Sequence, residues 1–432
     1  MAFVAEPVLA GPLGGGFLLY APRNGQIRML DAFVQTPMRR RTDNDLRMVE
    51  ADFGTSTQTF HIGAGAVATS GLIPALFEAH AARGRIPLAE LTAAAVKAAR
   101  EGVVLTPFQA ELSRIVTPIL TASPDVAALF THEGQLLGAG DTYRNPALAD
   151  VLEVAAIEGA RLFSDGEVAQ ALCAMDGGHL NADDLRRYTP HYRDPLTVTR
   201  AGTTAYLSPA PSIGGAQIAL ALAITPPQAT PIERAACLRA IHELRLNGDI
   251  AFDEATLAQL RKTLARGGLR QSGTTHISVL DREGNGAALT LSNGTGAGHL
   301  VPGTGIMPNN MLGEEDVVPG GLQGWAANTR LTSAMCPMAL LGADQSLTLM
   351  GSGGSNRIRS ALTHVALNRV DHGMRLDAAI AAPRLHVDGV PSHLDVEAPR
   401  DEGTQVALRE AWPQMRYWTE PSMYFGGVHA VS

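Results

Sequence analysis

The spacing of apolar positions predicts helices in the first two thirds of the chain. Apolar residues recur at every third or fourth position from Leu88 to Ala99, directly behind Pro87, and Gly102 stands where a helix C-cap belongs. Residues 63–104 and 147–175 are both predicted to be helical, and the run Asn-Ala-Asp-Asp at 181–184 predicts a capped short helix.

Strand-like runs dominate the later part of the chain. The alternating pattern of residues 193–208 predicts one strand. Residues 274–280 and 287–292 predict two more, joined by a turn at 281–286 with the sequence Asp-Arg-Glu-Gly-Asn-Gly. Residues 346–350 predict a further strand, followed by a helix over 356–370. This mixture predicts an α+β fold.

The overall charge argues against nucleic acid as a partner. The chain has 432 residues, with 34 Lys and Arg against 42 Asp and Glu, for a formal net charge of −8. An acidic surface lacks an electrostatic attraction for phosphate backbones. The basic run at 39–41 is shorter than a usual nucleic-acid patch and is interpreted as a solvated turn. The hydrophobic content of 45% is that of a globular protein.

Neither a metal site nor a disulfide framework is indicated. The three cysteines, Cys173, Cys237 and Cys336, are far apart and form no Cys-x-x-Cys pair. The 13 histidines are scattered without metal-ligand spacing. We therefore expect no metal and no cofactor, and a reducing compartment.

No targeting or membrane segment is predicted. The apolar first 22 residues are interrupted by Glu6, Pro7 and Pro12 and lack a basic beginning, which argues against a signal peptide. No stretch reaches the roughly 18 apolar residues of a membrane span. As the sequence stands, we expect a cytoplasmic protein without a membrane partner.

Two glycine-rich segments admit alternative interpretations. Residues 63–68 match a dinucleotide fingerprint, but they equally fit a tight turn into a helix, and no acidic residue follows at the required distance. Residues 351–357, Gly-Ser-Gly-Gly-Ser-Asn-Arg, lack the lysine of a phosphate loop. This segment can direct backbone N–H groups at an oxyanion, or it can be a connection that binds nothing.

Thr274 is a candidate nucleophile only under one condition. A threonine hydroxyl becomes reactive when a nearby amine removes its proton, and the residue's own α-amino group can do so at a chain start. That requires a cut between Gly273 and Thr274, where residues 271–273 are small and flexible. His276, in the same predicted strand, is interpreted as a satisfied core histidine.

A succession of motifs along almost the whole chain resembles the γ-glutamyltransferases, also called γ-glutamyl transpeptidases or glutathione hydrolases. They include Pro-Gly-Thr-Gly-Ile-Met-Pro-Asn-Asn-Met at 302–311 and Arg-Leu-Thr-Ser-Ala-Met-Cys-Pro at 330–337. The matching segments, in family order, are residues 6–7, 13–17, 63–71, 177–180, 184–185, 188, 195, 209–215, 274–279, 293–294, 302–311, 330–337, 351–357, 371–374 and 382–384.

The resemblance implies a four-layer αββα sandwich of the N-terminal-nucleophile hydrolase type. It implies self-cleavage into a large subunit, 1–273, and a small catalytic subunit, 274–432, which form one intertwined domain and a heterodimer of the protein's own two fragments. The implied substrate is a small γ-glutamyl amide such as glutathione, which is hydrolysed or transferred. Members of the family are often periplasmic or secreted.

The resemblance also implies roles for individual residues. Thr274 attacks the γ-glutamyl carbonyl and Ser292 lies near the position of a second hydroxyl beside it. The remaining implied site residues are the oxyanion-binding Gly353, Gly354 and Ser355, the α-amino-binding Asn293 and Glu314, and Ser333, which is the first of the family's paired serines.

Several positions depart from the family pattern. Phe33 stands where the family has the arginine that binds the donor α-carboxylate, so Arg28 or Arg39 would have to substitute for it. The second paired serine is Ala334. Both ends look short, which suggests a truncated gene model or a distinct subfamily whose chain stops before the last strand. Two alternatives therefore remain: an amidase with another N-acyl donor, and an unprocessed, non-catalytic homologue.

Overall fold

A computed structural model of the chain gives its architecture. The described residues are 1–52, 57–246, 251–253, 255–256, 274–314, 317–318, 321–322, 324–389, 391–398, 401–420 and 422–432. Residues 271–273, on the N-terminal side of the predicted cut, lie outside them.

Helices and strands both occur throughout the described residues. The helices are α1 (Ala2–Ala5), α2 (Leu72–Arg83), α3 (Leu88–Glu101), α4 (Pro107–Ile115), α5 (Thr117–Leu120), α6 (Pro124–Phe130), α7 (Pro146–Glu158), α8 (Arg161–Ser164), α9 (Glu167–Cys173), α10 (Ala182–Arg187), α11 (Ile213–Ile224), α12 (Pro231–Leu246), α13 (Arg357–Val370), α14 (Leu376–Ala381) and α15 (Glu402–Ala411). Short 3₁₀ turns cover Ala64–Ala66, Met311–Gly313 and Met423–Phe425.

The strands are mostly short. They are β1 (Gly15–Ala21), β2 (Arg28–Ala32), β3 (Arg47–Asp52), β4 (Thr57–Ile62), β5 (Val103–Val104), β6 (Thr131–His132), β7 (Gln135–Leu136), β8 (Thr142–Tyr143), β9 (His191–Arg193), β10 (Leu196–Arg200), β11 (Thr203–Leu207), β12 (Thr275–Leu280), β13 (Gly286–Ser292), β14 (Met338–Leu341), β15 (Leu347–Gly353), β16 (Leu385–Asp388), β17 (His393–Glu397), β18 (Arg416–Trp418) and β19 (Gly427–Val431).

The chain divides into two compact units, each assembled from separate segments. The first unit comprises Met1–Gly16, Asp31–His191 and Leu291–Leu331 and contains α1 to α10. Two apolar cores hold it together: α3 packs against α7 in one, and the hairpin β3–β4 covers α5 in the other. Asn181 caps α10 with a reciprocal capping box, as the sequence predicts.

The second unit comprises Phe17–Leu30, Tyr192–Thr290 and Thr332–Ser432. It contains most of a five-stranded sheet with the order β12-β13-β1-β2-β9 and a second five-stranded sheet with the order β10-β11-β14-β15-β19. Helices α11 and α13 pack on each other and on strands of the second sheet. The predicted α+β class is therefore confirmed.

Glycines allow strands of the two sheets to approach closely. A Cβ added to Gly351 in β15 would lie 2.2 Å from Nδ1 of His276 in β12, and one on Gly286 would lie 2.5 Å from Cδ1 of Leu349. Larger residues at these positions would force the layers apart, because interiors are close-packed.

Three sequence predictions were too coarse. Residues 63–104, predicted to be helical, form a 3₁₀ turn, the helices α2 and α3 and the short strand β5. Residues 193–208 form a hairpin rather than one strand, because Ala201 and Gly202 have φ angles of 45° and 77° and turn the chain between β10 and β11. Residues 147–175 form three helices rather than one. The breaks are at Gly159, where φ is 71°, and at Gly166, the N-cap of α9.

The segment at 63–68 is a tight turn. Its N–H groups are used internally, because Gly65 N donates to the Asp45 carbonyl at 2.7 Å and Ala64 N to the Asp45 carboxylate at 3.2 Å. A Cβ on Gly63, where φ is 108°, would lie 2.3 Å from that carbonyl oxygen. The segment therefore does not present free donors to a dinucleotide, and the tight-turn interpretation is the one the geometry supports.

Asn309 provides a test of how the first unit is held together. Its buried amide accepts hydrogen bonds from Ala68 N and Met311 N and donates to the carbonyls of Leu13 and Ala68, at 2.7–3.1 Å. In Asn309→Leu, four buried backbone groups lose their partner, so we expect the free energy of unfolding to fall by about 3 kcal/mol or more. Urea unfolding measures this difference.

The matched control is Asn24→Leu, because Asn24 is exposed in a turn. That variant should stay within about 0.5 kcal/mol of the parent. Equal stability of the two variants would contradict the structural role assigned to Asn309.

Candidate functional site

Thr274 lies directly before β12 and contacts the glycine-rich loop. The residue is 8% exposed. A Cβ built on Gly353 would lie only 2.2 Å from the Thr274 carbonyl oxygen. Only glycine permits this approach, so the backbone of the candidate nucleophile lies against the loop.

The loop itself connects β15 to α13. Gly353 pairs with Gly427 in β19, and the chain then turns through Gly354 and Ser355, whose φ angles are 108° and 49°. Within the described residues, neither the Gly354 N–H nor the Ser355 N–H donates a backbone hydrogen bond. These donors stand at the N-terminal end of a 14-residue helix, where the helix dipole favours negative charge. The loop can therefore stabilise an oxyanion.

Arg357 fixes the loop from its helical side. Its Nε donates to the Tyr424 carbonyl at 2.9 Å, and its guanidinium stacks over the Tyr424 ring at 5.0 Å from the centroid. Next along the chain, Gly426 approaches Gly354, where a Cβ would lie 3.1 Å from the Gly426 Cα. The segment around Tyr424 thus forms the wall behind the loop.

Asp395 anchors that wall. Its buried carboxylate accepts from the Tyr424 hydroxyl at 2.7 Å, from the Trp418 indole at 2.9 Å and from Arg416 at 2.5 Å. Burial alone would raise the pKa of Asp395, but these hydrogen bonds and one from His393 together hold it well below its usual value. Sequence reasoning missed this network, since its members are separated along the chain and form no motif.

His276 is a core histidine, as the sequence suggested. Its Nδ1 lies 2.8 Å from the Thr290 hydroxyl and its Nε2 lies 2.7 Å from the Ser278 hydroxyl. Burial, with a smaller contribution from the neighbouring His429, lowers the pKa of His276 to about 3. The ring is therefore neutral at physiological pH and supports β12.

Ser333 lies in the second unit, next to the turn that precedes α11. Its hydroxyl accepts from Met335 N at 3.0 Å, and its carbonyl accepts from Gly214 N at 3.2 Å. A Cβ on Gly214 would lie 1.9 Å from the Ala334 carbonyl. The two family-like segments at 209–215 and 330–337 thus meet through backbone contacts.

Ser292, Asn293 and Glu314 belong to the first unit. The Ser292 hydroxyl accepts from Gly294 N at 2.9 Å, and Asn293 Nδ2 donates to the Met307 carbonyl at 3.0 Å. A Cβ on Gly294 would lie 2.7 Å from Oε1 of Glu314. The structure therefore brings the Asn293–Gly294 turn and the Glu314 carboxylate together.

Phe33, also in the first unit, is 1% exposed. Its backbone contacts the guanidinium of Arg330, and nothing in the sequence indicated this contact. Its carbonyl accepts from the Tyr188 hydroxyl and from Arg330, each at 2.6 Å. Arg330 also donates to the Thr189 carbonyl at 2.8 Å and lies 3.7 Å from the fully buried carboxylate of Asp31. The guanidinium is thus occupied by internal partners.

The two arginines considered as substitutes occupy different surroundings. Arg28 forms an ion pair with Asp194 at 2.9 Å in the second unit, and Arg39 is exposed in the first. Among the described residues, no group of three or more His, Cys, Asp or Glu side chains is arranged to hold a metal ion. No helix in the described part of the chain is both long enough and apolar enough to cross a bilayer.

The buried neutral state of His276 predicts a pH dependence of stability. In the unfolded chain the imidazole has a pKa near 6.5, whereas in the folded chain it is about 3. Protons therefore bind preferentially to the unfolded state, and the stabilisation present above pH 6.5 is lost as pH falls towards 3. In His276→Gln, the decrease in the urea midpoint between pH 7 and pH 4.5 should be smaller than in the parent.

The exposed His132 provides the control, and His132→Gln should keep the parental difference between the two pH values. An unchanged pH dependence in His276→Gln would contradict a buried neutral imidazole at this position.

Comparison with known proteins places the chain among enzymes of one family. Residues 1–244 and 249–432 match the family Gamma-glutamyltranspeptidase. The chain is 28% identical to Acylase ACY 1 proenzyme from Pseudomonas sp. (strain V22) and 26% identical to Glutathione hydrolase proenzyme from Escherichia coli (strain K12), in each case over 94% of this chain and 80% of the relative. Cephalosporin acylase from Bacillus halodurans superposes with a TM-score of 0.79 at 21% identity, covering 99% of this chain and 87% of that one. The chain is therefore an enzyme of the gamma-glutamyltranspeptidase family with the α+β fold of N-terminal-nucleophile hydrolases, as its motifs predicted.

Proposed function

We propose that this enzyme is a self-processing amide hydrolase or acyltransferase in which Thr274 is the nucleophile. The observation that carries the proposal is the backbone contact between Thr274 and Gly353, the residue that directly precedes Gly354 and Ser355 in the glycine-rich loop. An acyl carbonyl attacked by the threonine hydroxyl would develop its negative charge next to the N–H groups of this loop.

The proposed reaction begins with hydrolysis of the Gly273–Thr274 peptide bond. The Thr274 hydroxyl attacks the Gly273 carbonyl, the C–N bond breaks to leave an ester, and water then releases Gly273 as a carboxylate. This cut creates residues 1–273 and 274–432, which stay together as an intertwined heterodimer, and it frees the α-amino group of Thr274. The amine then removes the proton from its own hydroxyl as the oxygen attacks the substrate amide.

Acyl transfer then follows in two steps. The C–N bond of the substrate breaks, the leaving amine takes the proton, and the acyl group remains as an ester on Thr274. Water releases a carboxylic acid, or an acceptor amine gives a new amide. Loss of one oxyanion donor typically slows such a reaction by about 10²–10³-fold.

The first candidate donor is a γ-glutamyl amide such as glutathione. Asn293, which precedes Gly294 in the turn, and Glu314, which contacts it, supply an amide and a carboxylate, and this is suitable chemistry for a donor ammonium group. A glutathione hydrolase relative at 26% identity is consistent with this donor.

The second candidate donor is an N-acyl amide without an α-carboxylate, and a specific observation favours it. Phe33 takes the place of the carboxylate-binding arginine, and the neighbouring Arg330 is bound to the carbonyls of Phe33 and Thr189 and paired with Asp31. The described residues around Phe33 therefore offer no uncommitted guanidinium to a glutamyl carboxylate. An acylase relative at 28% identity agrees with this donor class.

Replacing Thr274 tests both the processing and the chemistry. We expect Thr274→Ala to give a single polypeptide of 432 residues on a denaturing gel and no amide hydrolysis above buffer. The parent should give two bands, and N-terminal sequencing of the smaller band should begin at Thr274.

The matched control is Thr199→Ala on the exposed face of the hairpin β10–β11, which should process and turn over like the parent. Two normal fragments from Thr274→Ala would refute the assignment. An uncut parent without activity would instead identify a non-catalytic homologue.

Donor selectivity is measured by comparing kcat/KM for γ-glutamyl anilide and for simple acyl anilides of similar length. We expect the simple acyl anilide to be the better substrate, since pairing a donor carboxylate with a positioned arginine is typically worth about 1.5–3 kcal/mol, or roughly tenfold to a hundredfold. A clear preference for the γ-glutamyl anilide would favour the first donor class. Hydrolysis by the Thr274→Ala variant is subtracted as the background.

A further inference from the structure

A cavity with both polar and apolar lining lies in the second unit, apart from the glycine-rich loop. Its volume is about 450 Å³, and it is bounded by the first turn of α12, the last turns of α13 and the start of β16. One end is polar and is formed by Arg234, Asn368 and His372. The rest of the lining is largely apolar and includes Met374 and Ala382.

Arg234 is a half-buried cation, and none of its three hydrogen-bond partners is a carboxylate. Its nitrogens lie 3.2 Å from the Ala229 carbonyl, 2.8 Å from Asn368 Oδ1 and 2.7 Å from His372 Nε2. Burial lowers the pKa of the guanidinium, and a nearby acid opposes that shift. A guanidinium nevertheless remains charged in proteins, so the cavity contains a permanent positive charge.

The nearby acid does not neutralise this charge. Both carboxylate oxygens of Asp371 accept hydrogen bonds from Arg200, at 2.6 Å each, so this ion pair contributes no net charge. The Glu233 carboxylate accepts a hydrogen bond from Thr230 N at 2.8 Å, at the start of α12. None of the described residues that line the cavity is acidic. An uncompensated cation in a cavity favours an anionic ligand.

We propose that this cavity binds a small carboxylate with an apolar body, such as an aromatic monocarboxylate. The ligand carboxylate would displace the exposed His372 ring and accept two hydrogen bonds from Arg234. The apolar body of the ligand would lie against Met374 and Ala382. Ligand sites of roughly 300–1,000 Å³ with a few convergent polar groups have this composition, and the cavity falls in that range.

The cavity is distinct from the proposed catalytic site. Helix α13 begins at Arg357, next to the glycine-rich loop, and Asn368 lies eleven residues later, which corresponds to about 16 Å along the helix axis. Binding in the cavity therefore does not depend on the proposed function. Thr274→Ala should retain binding even though it loses hydrolysis.

Isothermal titration calorimetry of the purified protein with benzoate tests the proposal. Benzoate should bind saturably, and benzamide, which has the same shape without the charge, should bind at least tenfold more weakly. Inorganic phosphate supplies the charge without the apolar body and distinguishes a general anion site from the proposed one. Phosphate binding as tight as benzoate binding would overturn the apolar part of the proposal.

Variants locate the binding event. Arg234→Met should weaken benzoate binding at least tenfold, whereas Arg409→Met, at an exposed position on α15, should leave it unchanged. Ala382→Phe fills the apolar wall and should abolish binding while the charge is retained.

Arg234→Lys keeps the positive charge and serves if the methionine variant does not fold. It should bind more weakly than the parent but more tightly than Arg234→Met, since lysine lacks the bidentate geometry. Undiminished benzoate binding in both Arg234→Met and Ala382→Phe, or no saturable binding by the parent, would overturn the proposal.

Discussion

The approach of the Thr274 carbonyl to Gly353 constrains the rest of the site. The oxygen occupies the space that any side chain at position 353 would need, since a Cβ there would lie 2.2 Å away. The contact between Gly351, two residues earlier in β15, and His276 likewise leaves no room for a side chain at position 351. Strands β12 and β15 therefore lie too close for a side chain to fit between them at Gly351 and Gly353, and the start of β12 has a fixed position relative to the loop. The proposed attack of Thr274 on an acyl carbonyl requires such positioning, because the carbonyl oxygen must lie next to the loop while its carbon faces the nucleophile.

Helix α13 supports the contact between Thr274 and Gly353, because polar side chains are buried along most of the helix. Ser360 bonds to His386 at 2.9 Å, and Arg359 donates to the Val387 carbonyl at 2.7 Å. Burial lowers the pKa of His386 to about 4, so its ring stays neutral next to the ionised Asp388. A helix tied to strand β16 in this way resists rotation, because turning it would leave several buried polar groups without partners.

Local patterns in the sequence predicted most of the elements and the Asn181 cap, whereas only the family resemblance implied that Thr274 and the glycine-rich loop share a site. The local patterns failed where a partner lies far along the chain. Nothing near Phe33 indicates that Arg330 donates to its carbonyl, and nothing near Tyr424 indicates a bond to Asp395. Caps and turns are encoded within a few residues, whereas such contacts arise only when distant segments meet. The break at Gly159 was missed for another reason, since the apolar spacing continues across it.

Under the proposed function, the arrangement around Arg330 would allow donor recognition to change while the chemistry is retained. If Arg330 turned towards a substrate carboxylate, it would leave Asp31 fully buried without its cation, and breaking such a pair typically costs about 3–5 kcal/mol. Carboxylate recognition therefore cannot be regained simply by reorienting this side chain. The N–H groups of Gly354 and Ser355, which we propose as oxyanion donors, are backbone groups, which substitutions of side chains elsewhere do not remove. Under the proposed function, donor selectivity could thus change without altering the groups proposed to stabilise the transition state.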